Sequence, residues 1–234
     1  MSYAMDYYPI AARAQPNVRA AFIRRTYGHL AGAVLAFVAL EAALLSLPGI
    51  ENFVVNMTRV SWLLVLVAFM AVGWIAERLA QSEAGPGIQY LGLAIYIAAE
   101  AVIFLPLLYI AQHFFPGAIT TAGILTLAIF GGLTMTVFVT RRDFSFLRPI
   151  LCIGSWIALG VIVAAVVMGG FSLGLFFCFA MVALISGYIL YYTSNVLHYY
   201  RVDRHVAASL ALFASIATLF WYILQIVMAT QSRD

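Results

Sequence analysis

The residues most able to do chemistry in this sequence are carboxylates placed inside apolar segments. Glu100 lies near the middle of one such segment, among alanine, isoleucine and valine. Charge inside a hydrocarbon layer is costly, so a carboxylate there is a candidate functional group. Pro106 follows and removes the amide that would bond the carbonyl of Val102. A carboxylate beside a freed carbonyl could bind a cation or take up a proton. The alternative is a protonated Glu100 that bonds a neighbouring helix and only supports packing.

Other charged residues lie near the ends of apolar stretches. Glu41 lies about two turns from the end of the first stretch, where it either reaches the lipid headgroups or lines a vestibule. We favour the headgroup interpretation. Glu77 and Arg78 lie together at the end of the second stretch and could form an ion pair beside a gate, although such residues more often anchor a helix at the membrane surface. Glu100, Glu41 and Arg78 are therefore the candidate ion or proton residues.

Polar side chains recur every three or four residues along the last two apolar stretches. They are Tyr188, Tyr191, Tyr192, Asn195, His198 and Tyr199 in the sixth stretch, and Ser215, Thr218, Tyr222 and Gln225 in the seventh. We expect the two stripes to face each other or a water-filled cleft, as a polar seam that includes Tyr188, Asn195, Thr218 and Gln225. Neither stripe contains a carboxylate, so a seam that only joins helices is the favoured interpretation.

Patterns typical of enzymes and metal sites are missing from the sequence. The histidines are scattered, and neither an HExxH motif nor a paired-cysteine spacing occurs. Lysine is absent, which excludes a Schiff base to a cofactor. We therefore predict no catalytic residue, no metal and no cofactor.

The composition indicates whether these residues lie in water or in a membrane. The chain has 234 residues, of which 9% are charged and 65% hydrophobic, and its mean hydropathy is +1.03. An ordinary soluble domain is about 25% charged. These values exclude a soluble enzyme, a disordered chain and a nucleic-acid-binding protein. They indicate an integral membrane protein whose first partner is the lipid bilayer.

Seven apolar stretches are long enough to cross a bilayer, which takes about 20 residues per helix. They cover roughly 27–48, 60–79, 89–112, 117–140, 149–168, 171–197 and 206–229. We predict an all-α fold of seven transmembrane helices over residues 23–230, preceded by a cytoplasmic N-terminal arm at 1–22 and followed by a short tail at 231–234. Because only Gly169 and Gly170 separate the fifth and sixth stretches, those two helices should form a tight antiparallel hairpin.

The arginines predict the orientation. Ten of the twelve cations lie on one side of the seven stretches and two on the other. The larger group comprises Arg13, Arg19, Arg24, Arg25, Arg78, Arg141, Arg142, Arg148, Arg201 and Arg204, and the smaller group comprises Arg59 and Arg233. Since cytoplasmic loops carry the excess of positive charge, the N-terminus is expected in the cytoplasm and the C-terminus outside.

Five segments between about residues 22 and 228 carry a resemblance to a known family. They are Phe22–Gly28; Glu100 with Pro106-Leu107-Leu108; Thr126, Phe130 and Leu133 leading into Thr140–Leu147; Tyr188–Thr193; and Leu219-Phe220. Together they resemble the transmembrane Bax inhibitor motif family, with its bacterial YccA-like members. The most specific piece contains Asp143 and Phe144, and the position of Asp143 suits a helix cap or an ion pair with Arg141 or Arg142.

The resemblance implies a fold in which six helices surround a central seventh. It also implies a pH-sensitive calcium leak, gated by two aspartates that share a proton and contact an arginine of the second helix. Arg78 matches that arginine. The two aspartate positions, however, are occupied by Tyr192 and Ser215 in this chain. The family's proton-sharing pair is therefore substituted here.

Two functions follow from this comparison. The favoured one is an accessory or regulatory role, in which the chain binds other integral membrane proteins such as a membrane protease or an energy-transducing complex. The tyrosines and prolines of the N-terminal arm suit a segment that folds on contact with a partner. The alternative is a calcium or cation leak in which Glu100 replaces the missing aspartate pair. In either case we expect a bacterial inner membrane, no nucleic-acid partner and no enzymatic activity.

Overall fold

A computed structural model describes residues 8–59, 62–168 and 174–232. The helices in these ranges are α1 (Pro16–Leu45), α2 (Ile50–Arg59), α3 (Trp62–Ala80), α4 (Pro86–Phe114), α5 (Ala118–Thr140), α6 (Leu147–Val167), α7 (Gly174–His198) and α8 (His205–Gln231). Within the described ranges, seven of them, all except α2, are long and apolar enough to cross a membrane. The prediction of an all-α protein with seven transmembrane spans is confirmed.

Helix α1 begins at Pro16, inside the range that the sequence assigned to the N-terminal arm. Proline suits the first turn of a helix because the amide it lacks would have no intrahelical partner there. With 30 residues, α1 is about 45 Å long and exceeds the hydrocarbon thickness of about 30 Å. Helix α1 is therefore long enough for the turns that carry Arg19, Arg24 and Arg25 to extend beyond the hydrocarbon layer at one end of the bundle.

The amphipathic helix α2 was not predicted. It occupies ten residues between the first two spans, which is too short to cross a bilayer. Val54 is buried while Phe53 is half exposed, and the helix packs against α4. Glu51 lies in its first turn, where a negative charge interacts favourably with the helix dipole.

Two further predictions fall outside the described residues. They are the hairpin at Gly169 and Gly170 and the first two residues of the predicted second span.

Helix α8 is the centre of the bundle. Two thirds of its membrane-spanning residues are buried, a larger share than in any other described span. It packs against α1, α3, α4, α5 and α7, whereas α6 packs mainly on α7. Small residues such as Ala208 and Ser209 on α8 are fully buried and allow close approach of its neighbours. The central position predicted for the seventh span is confirmed.

Helices α3 and α4 approach each other most closely at Gly92. A Cβ atom at this position would lie 2.5 Å from the carbonyl oxygen of Ala76 and 2.6 Å from the backbone nitrogen of Ala80. Both distances are shorter than any van der Waals contact, and both involve backbone atoms that side-chain rotation cannot move. Glycine at 92 is therefore a packing requirement of the α3–α4 pair.

The loops at the end of the bundle that carries the N-terminus are tied together; we call this the arginine-rich end. The guanidinium of Arg204, in the α7–α8 loop, donates to the carbonyl oxygens of Gln81 and Ser82, the latter at 2.8 Å. It also bonds the Glu83 carboxylate at 2.8 Å, while Arg201 reaches the same carboxylate at 3.3 Å. These contacts join the α3–α4 loop to the α7–α8 loop.

The two arginines should differ in their effect on stability. The Arg204 side chain is only 12% exposed, whereas that of Arg201 is 40% exposed. We expect Arg204→Ala to lower the free energy of unfolding by about 2 kcal/mol, because hydrogen bonds from a charged donor to two carbonyls are lost. Arg201→Ala should cost about 0.5 kcal/mol, as is usual for an exposed ion pair. Unfolding of the purified variants in detergent measures both values. Equal losses of stability in the two variants would contradict the larger contribution that we assign to Arg204.

The N-terminal segment is docked on the protein itself. Ile10 forms an isolated antiparallel bridge with Arg201, in which the amide of Ala11 donates to the carbonyl of Tyr200 at 2.8 Å. Ala11 is completely buried. In its described part the arm is therefore not the free segment, ready to fold on a partner, that its composition suggested. Because paired residues lie on the same side of the membrane, the bridge requires an even number of membrane crossings between Ile10 and Arg201. This agrees with the six membrane-spanning helices from α1 to α7.

Candidate functional site

Two buried carboxyl groups lie inside the bundle, one on α1 and one on α4. The Glu100 side chain is 3% exposed and that of Glu41 is 4% exposed. The two are close enough to interact electrostatically. The interpretation of Glu41 as a residue that reaches the headgroups is wrong, because the packing of α1 against α4 and α8 encloses it. Neither carboxyl oxygen of Glu41 has a hydrogen-bond partner in the protein.

A layer of aromatic rings separates these two carboxyls. Phe37 lies one turn before Glu41 in α1, and Phe104 lies one turn after Glu100 in α4. The Phe37 and Phe104 rings meet edge to face at 5.2 Å between centroids. Because the first and third spans of a bundle run in the same direction, Glu100 and Glu41 lie on opposite sides of this contact along the bundle axis. On α8, Phe213 packs against Phe37 with 5.9 Å between centroids, and Trp221, two turns further along, packs against Phe104 with 4.9 Å between centroids.

Polar side chains connect Glu100 to the arginine-rich end. The hydroxyl of Tyr96, one turn before Glu100 in α4, lies near the Glu100 carboxyl. Tyr96 also lies within electrostatic range of Glu77 and Tyr192. Glu77 is exposed at the end of α3. Glu77, Tyr192 and Tyr96 therefore lie near one another, on the side of Glu100 that is toward the arginine-rich end.

Arg78 does not join this group in the structure. Its guanidinium lies over the ring of Trp74, 5.1 Å from the centroid, on an exposed face of α3. The neighbouring Glu77 is the charge of α3 that lies near Tyr192. The match of Arg78 to a gate arginine is therefore not supported by its position, since adjacent residues of a helix point about 100° apart.

The substituted gate positions have their own contacts. The Ser215 hydroxyl is buried and donates to the carbonyl of Ala211 in its own helix at 2.9 Å. Tyr192 is half-buried, and its ring stacks on that of Tyr188 with 5.7 Å between centroids. Neither arrangement holds an ionisable pair between α7 and α8.

The predicted polar seam does not form as one structure. Tyr188 contacts α6, where its hydroxyl lies 2.8 Å from that of Ser155. The Thr218 hydroxyl donates to a carbonyl of its own helix at 2.8 Å. Gln225 makes a long contact of 4.0 Å with the thiol of Cys178, and Asn195 accepts two amide bonds through its backbone carbonyl at the end of α7. Helical periodicity identified a shared face, but hydroxyls that bond back to their own helix need no partner across an interface.

Asp143 holds the α5–α6 loop on the end of α7. Its carboxylate accepts hydrogen bonds from the Tyr199 hydroxyl and, at 2.8 Å, from the Ser145 amide. The Phe144 amide donates to the Ser194 hydroxyl at 3.0 Å. Asp143 thus makes a turn just before α6. Phe146, not Asp143, is the N-cap residue of α6, and in the described part of the chain Asp143 forms no ion pair with the neighbouring arginines, so the structure shows neither the helix cap nor the ion pair.

The Asp143 contact predicts a pH effect. The hydrogen bond from Tyr199 is the main cause that lowers the pKa of Asp143 below its ordinary value of 3.8. Since folding lowers this pKa, the stabilisation is present above about pH 3.8 and is lost as the pH falls through the folded value. Because both side chains are exposed, we expect no more than about 0.5 kcal/mol. Unfolding between about pH 6 and pH 2 should show this extra loss in the wild type and not in Asp143→Asn or Tyr199→Phe; identical pH profiles for all three would contradict it.

Sequence reasoning found Glu100 but missed the residues around it. Tyr96 and Phe104 lie four residues before and after Glu100, so the helical repeat places all three on one face of α4. That spacing was available in the sequence. The described residues contain no group of three or more histidine, cysteine, aspartate or glutamate side chains that could hold a metal ion.

Comparison with known proteins identifies the family. The family described as "Inhibitor of apoptosis-promoting Bax1" matches residues 19–233, which is most of the chain. The chain belongs to this Bax inhibitor family. A BI1-like protein of Arabidopsis thaliana is 29% identical, over 94% of this chain and 85% of the relative. Bax inhibitor 1 of Schizosaccharomyces pombe is 28% identical, over 97% of this chain and 82% of the relative.

The Bax inhibitor match extends to animal proteins. Protein lifeguard 4 of Mus musculus is 26% identical to this Bax inhibitor family member, over 97% of this chain and 93% of the relative. No solved structure matches the chain significantly. The resemblance read from the sequence motifs is confirmed, and the protein is a polytopic membrane protein of the Bax inhibitor and lifeguard type.

Proposed function

We propose that this Bax inhibitor family member is a cation leak, in which Glu41 and Glu100 replace the missing aspartate pair. The observation that carries the proposal is the placement of two buried carboxyls on opposite sides of an aromatic layer. Buried ionisable groups in a membrane protein are costly and mark ion or proton pathways. The buried carboxyl of Glu41, which has no hydrogen-bond partner in the protein, is not explained by packing, because an apolar side chain would pack better there.

The pathway would have two carboxyl sites and one barrier. A cation would enter past the exposed Glu77, reach Glu100 beside the Tyr96 hydroxyl, and meet the rings of Phe37 and Phe104. Glu41 would receive it on the far side. Hydrophobic constrictions gate by excluding water, and weak sites on either side of one allow ions to enter and leave. Protons compete with cations for carboxylates, so the leak should weaken as the pH falls.

Calcium flux in proteoliposomes tests this proposal. Purified protein is reconstituted with a calcium indicator inside the vesicles, and the initial rate is compared between variants. We expect Glu100→Gln and Glu41→Gln to lower the rate at least tenfold, because a neutral amide attracts a cation far less than a carboxylate. Glu83→Gln is the matched control, since Glu83 is highly exposed in a loop and lies outside the pathway. Equal rates for wild type and both buried-site variants would overturn the proposal.

A second candidate function is an accessory role with other membrane proteins. It is favoured by the two gate positions, where Ser215 bonds its own helix and Tyr192 stacks on Tyr188. A chain that has lost the family's acid pair could keep the fold for binding partners such as a membrane protease or an energy-transducing complex. Extraction in mild detergent followed by native electrophoresis tests this role. A defined complex that disappears on deletion of the gene supports it, and migration only as the free protein contradicts it.

The proposed location is a bacterial inner membrane, with the N-terminus in the cytoplasm and the C-terminus outside. The proposed orientation depends on the distribution of ten arginines against two. Fusion of a reporter that is active only outside the cytoplasm tests it. Reporter activity is expected for a fusion after the last residue and not for one before the first; the reverse result would invert the proposed orientation.

We also propose that the protein has a non-enzymatic role and uses no cofactor.

A further inference from the structure

A cleft of about 430 Å³ opens between α1 and α4 at the arginine-rich end. It is separate from the carboxyl pair, and the residues that line it take part in none of the contacts described above. Its rim is polar and carries Arg24, Arg25, His29 and Tyr90. The rest of its wall is apolar and leads along the two helices toward the middle of the bundle. The cleft is therefore amphipathic along its length.

The two arginines of the rim are available for an anion. Within the described part of the chain, neither Arg24 nor Arg25 forms an ion pair, and both side chains are exposed. Both belong to the first three turns of α1, and the helix is long enough to place them past the hydrocarbon layer at the level of lipid headgroups. Arginine is well suited to bind phosphate because its planar donors match two phosphate oxygens at once.

Hydrogen bonds fix the other side of the rim. His29 Nδ1 donates to the carbonyl of Arg25 at 2.6 Å, so its Nε2 is free to accept from the Tyr90 hydroxyl at 2.8 Å. The Nε2 atom of His205, on α8, lies 3.4 Å from the same hydroxyl. Helices α1, α4 and α8 are thus joined at the mouth of the cleft. This network fixes the direction of the Tyr90 side chain and keeps the cleft open.

Two glycines keep the apolar part of the cleft empty. Gly28 and Gly32 lie one turn apart on α1, and a Cβ atom at either position would meet no atom within 4 Å. The floor opposite them is made by the buried side chains of Leu93 and Ile97 on α4. Both glycines are exposed on the outer surface of the bundle, where lipid lies. The cleft is therefore reachable from the bilayer as well as from the aqueous side.

We infer that this cleft binds one anionic phospholipid, whose phosphate lies on Arg24 and Arg25 and whose acyl chain lies over Gly28 and Gly32. Charge complementarity favours an anionic headgroup over a zwitterionic one, because unpaired basic residues at a membrane surface attract anionic lipids. The apolar groove continuing from the rim favours a lipid over free phosphate, which would contact only the rim. This inference does not depend on the proposed cation leak.

Native mass spectrometry of the full-length protein in detergent tests the inference. Phosphatidylglycerol, phosphatidylcholine and inorganic phosphate are each titrated, and bound molecules are counted. We expect one phosphatidylglycerol to bind at least tenfold more tightly than phosphatidylcholine, and not to be displaced by millimolar phosphate. Equal affinity for the two lipids would overturn the inference in favour of ordinary annular contact. Displacement by phosphate would also overturn it, since the site would then be one for an anion alone.

Matched variants locate the bound lipid. The double variant Arg24→Gln/Arg25→Gln should weaken phosphatidylglycerol binding at least tenfold, whereas Arg141→Gln/Arg142→Gln removes an adjacent exposed pair at the same end and should leave it unchanged. Gly32→Leu should also weaken binding about tenfold by filling the groove, whereas Gly131→Leu, likewise in open space, should not. Arg24→Lys/Arg25→Lys keeps the charge and should retain binding within a few-fold, which controls for misfolding. Equal effects of the cleft and control variants would refute the location.

Discussion

Replacement of Glu41 by methionine is expected to raise the free energy of unfolding by about 2 kcal/mol while abolishing cation flux. The Glu41 side chain is 4% exposed, and neither of its carboxyl oxygens has a hydrogen-bond partner in the protein. A buried polar group without a partner costs about 1–3 kcal/mol. Methionine is similar in length, flexible and apolar, so it removes this cost without leaving a cavity. A substitution that stabilises the fold and destroys activity is typical of a residue kept for function.

The comparison with two other variants makes this expectation specific. Glu41→Gln keeps a polar group at the same site and should change stability by less than about 1 kcal/mol, although it should lower flux as strongly as methionine does. Glu51→Met removes an exposed glutamate from the first turn of α2 and should not stabilise the protein. Thermal unfolding in detergent measures all three. If Glu41→Met lowers stability instead, the carboxyl has a stabilising partner, and the argument for a functional carboxyl at this site fails.

Gly92→Ala is expected to lower the free energy of unfolding by about 3 kcal/mol, which is the largest loss that we predict for a single methyl group. The added Cβ would lie 2.5 Å from the Ala76 carbonyl oxygen and 2.6 Å from the Ala80 nitrogen. Overpacking costs about 1–3 kcal/mol even where side chains can move. Here the opposing atoms belong to the backbone of α3, so relief requires the two helices to separate.

Gly123→Ala is the matched control for this effect. Gly123 lies in α5, and a Cβ atom there would meet no atom within 4 Å. Alanine is the better helix former by about 1 kcal/mol, so this substitution should be neutral or slightly stabilising. Both variants replace glycine by alanine inside a helix, so they share the same gain in helix propensity. The difference between their free energies of unfolding in detergent therefore measures the cost of packing at Gly92. A loss below about 1 kcal/mol for Gly92→Ala would show that α3 and α4 are not held at this distance.

The helices were largely predictable because the bilayer imposes a length and a composition. The seven apolar stretches and the family resemblance followed from the pattern of residues, and the central seventh span followed from that resemblance. The amphipathic helix α2 escaped detection because ten residues with a few apolar side chains also suit a loop. Helix α1 begins before its apolar stretch because arginines are good helix formers, so the helix extends beyond the part that hydropathy can detect.

The candidate site was predictable only in part. Glu100 was recognisable because it interrupts an apolar run, and a carboxylate in that position is unusual on any helix. The burial of Glu41 depends on which helix packs beside it, and a sequence does not state which helices are neighbours. Tyr188 shows the same difficulty. Its position on α7 was correctly assigned to a polar face, but that face contacts Ser155 of α6.

The pairing of Ile10 with Arg201 has a consequence for how the protein is made. Membrane proteins are inserted as the ribosome delivers them, beginning at the N-terminus, so Ile10 is present long before Arg201 has been translated. Six helices must enter the bilayer before the partner of this bridge reaches the same side. Docking of the first described residues, with Ala11 fully buried, is therefore among the last events of biogenesis. The bridge between Ile10 and Arg201 therefore forms only in a chain in which all six of these spans have been inserted.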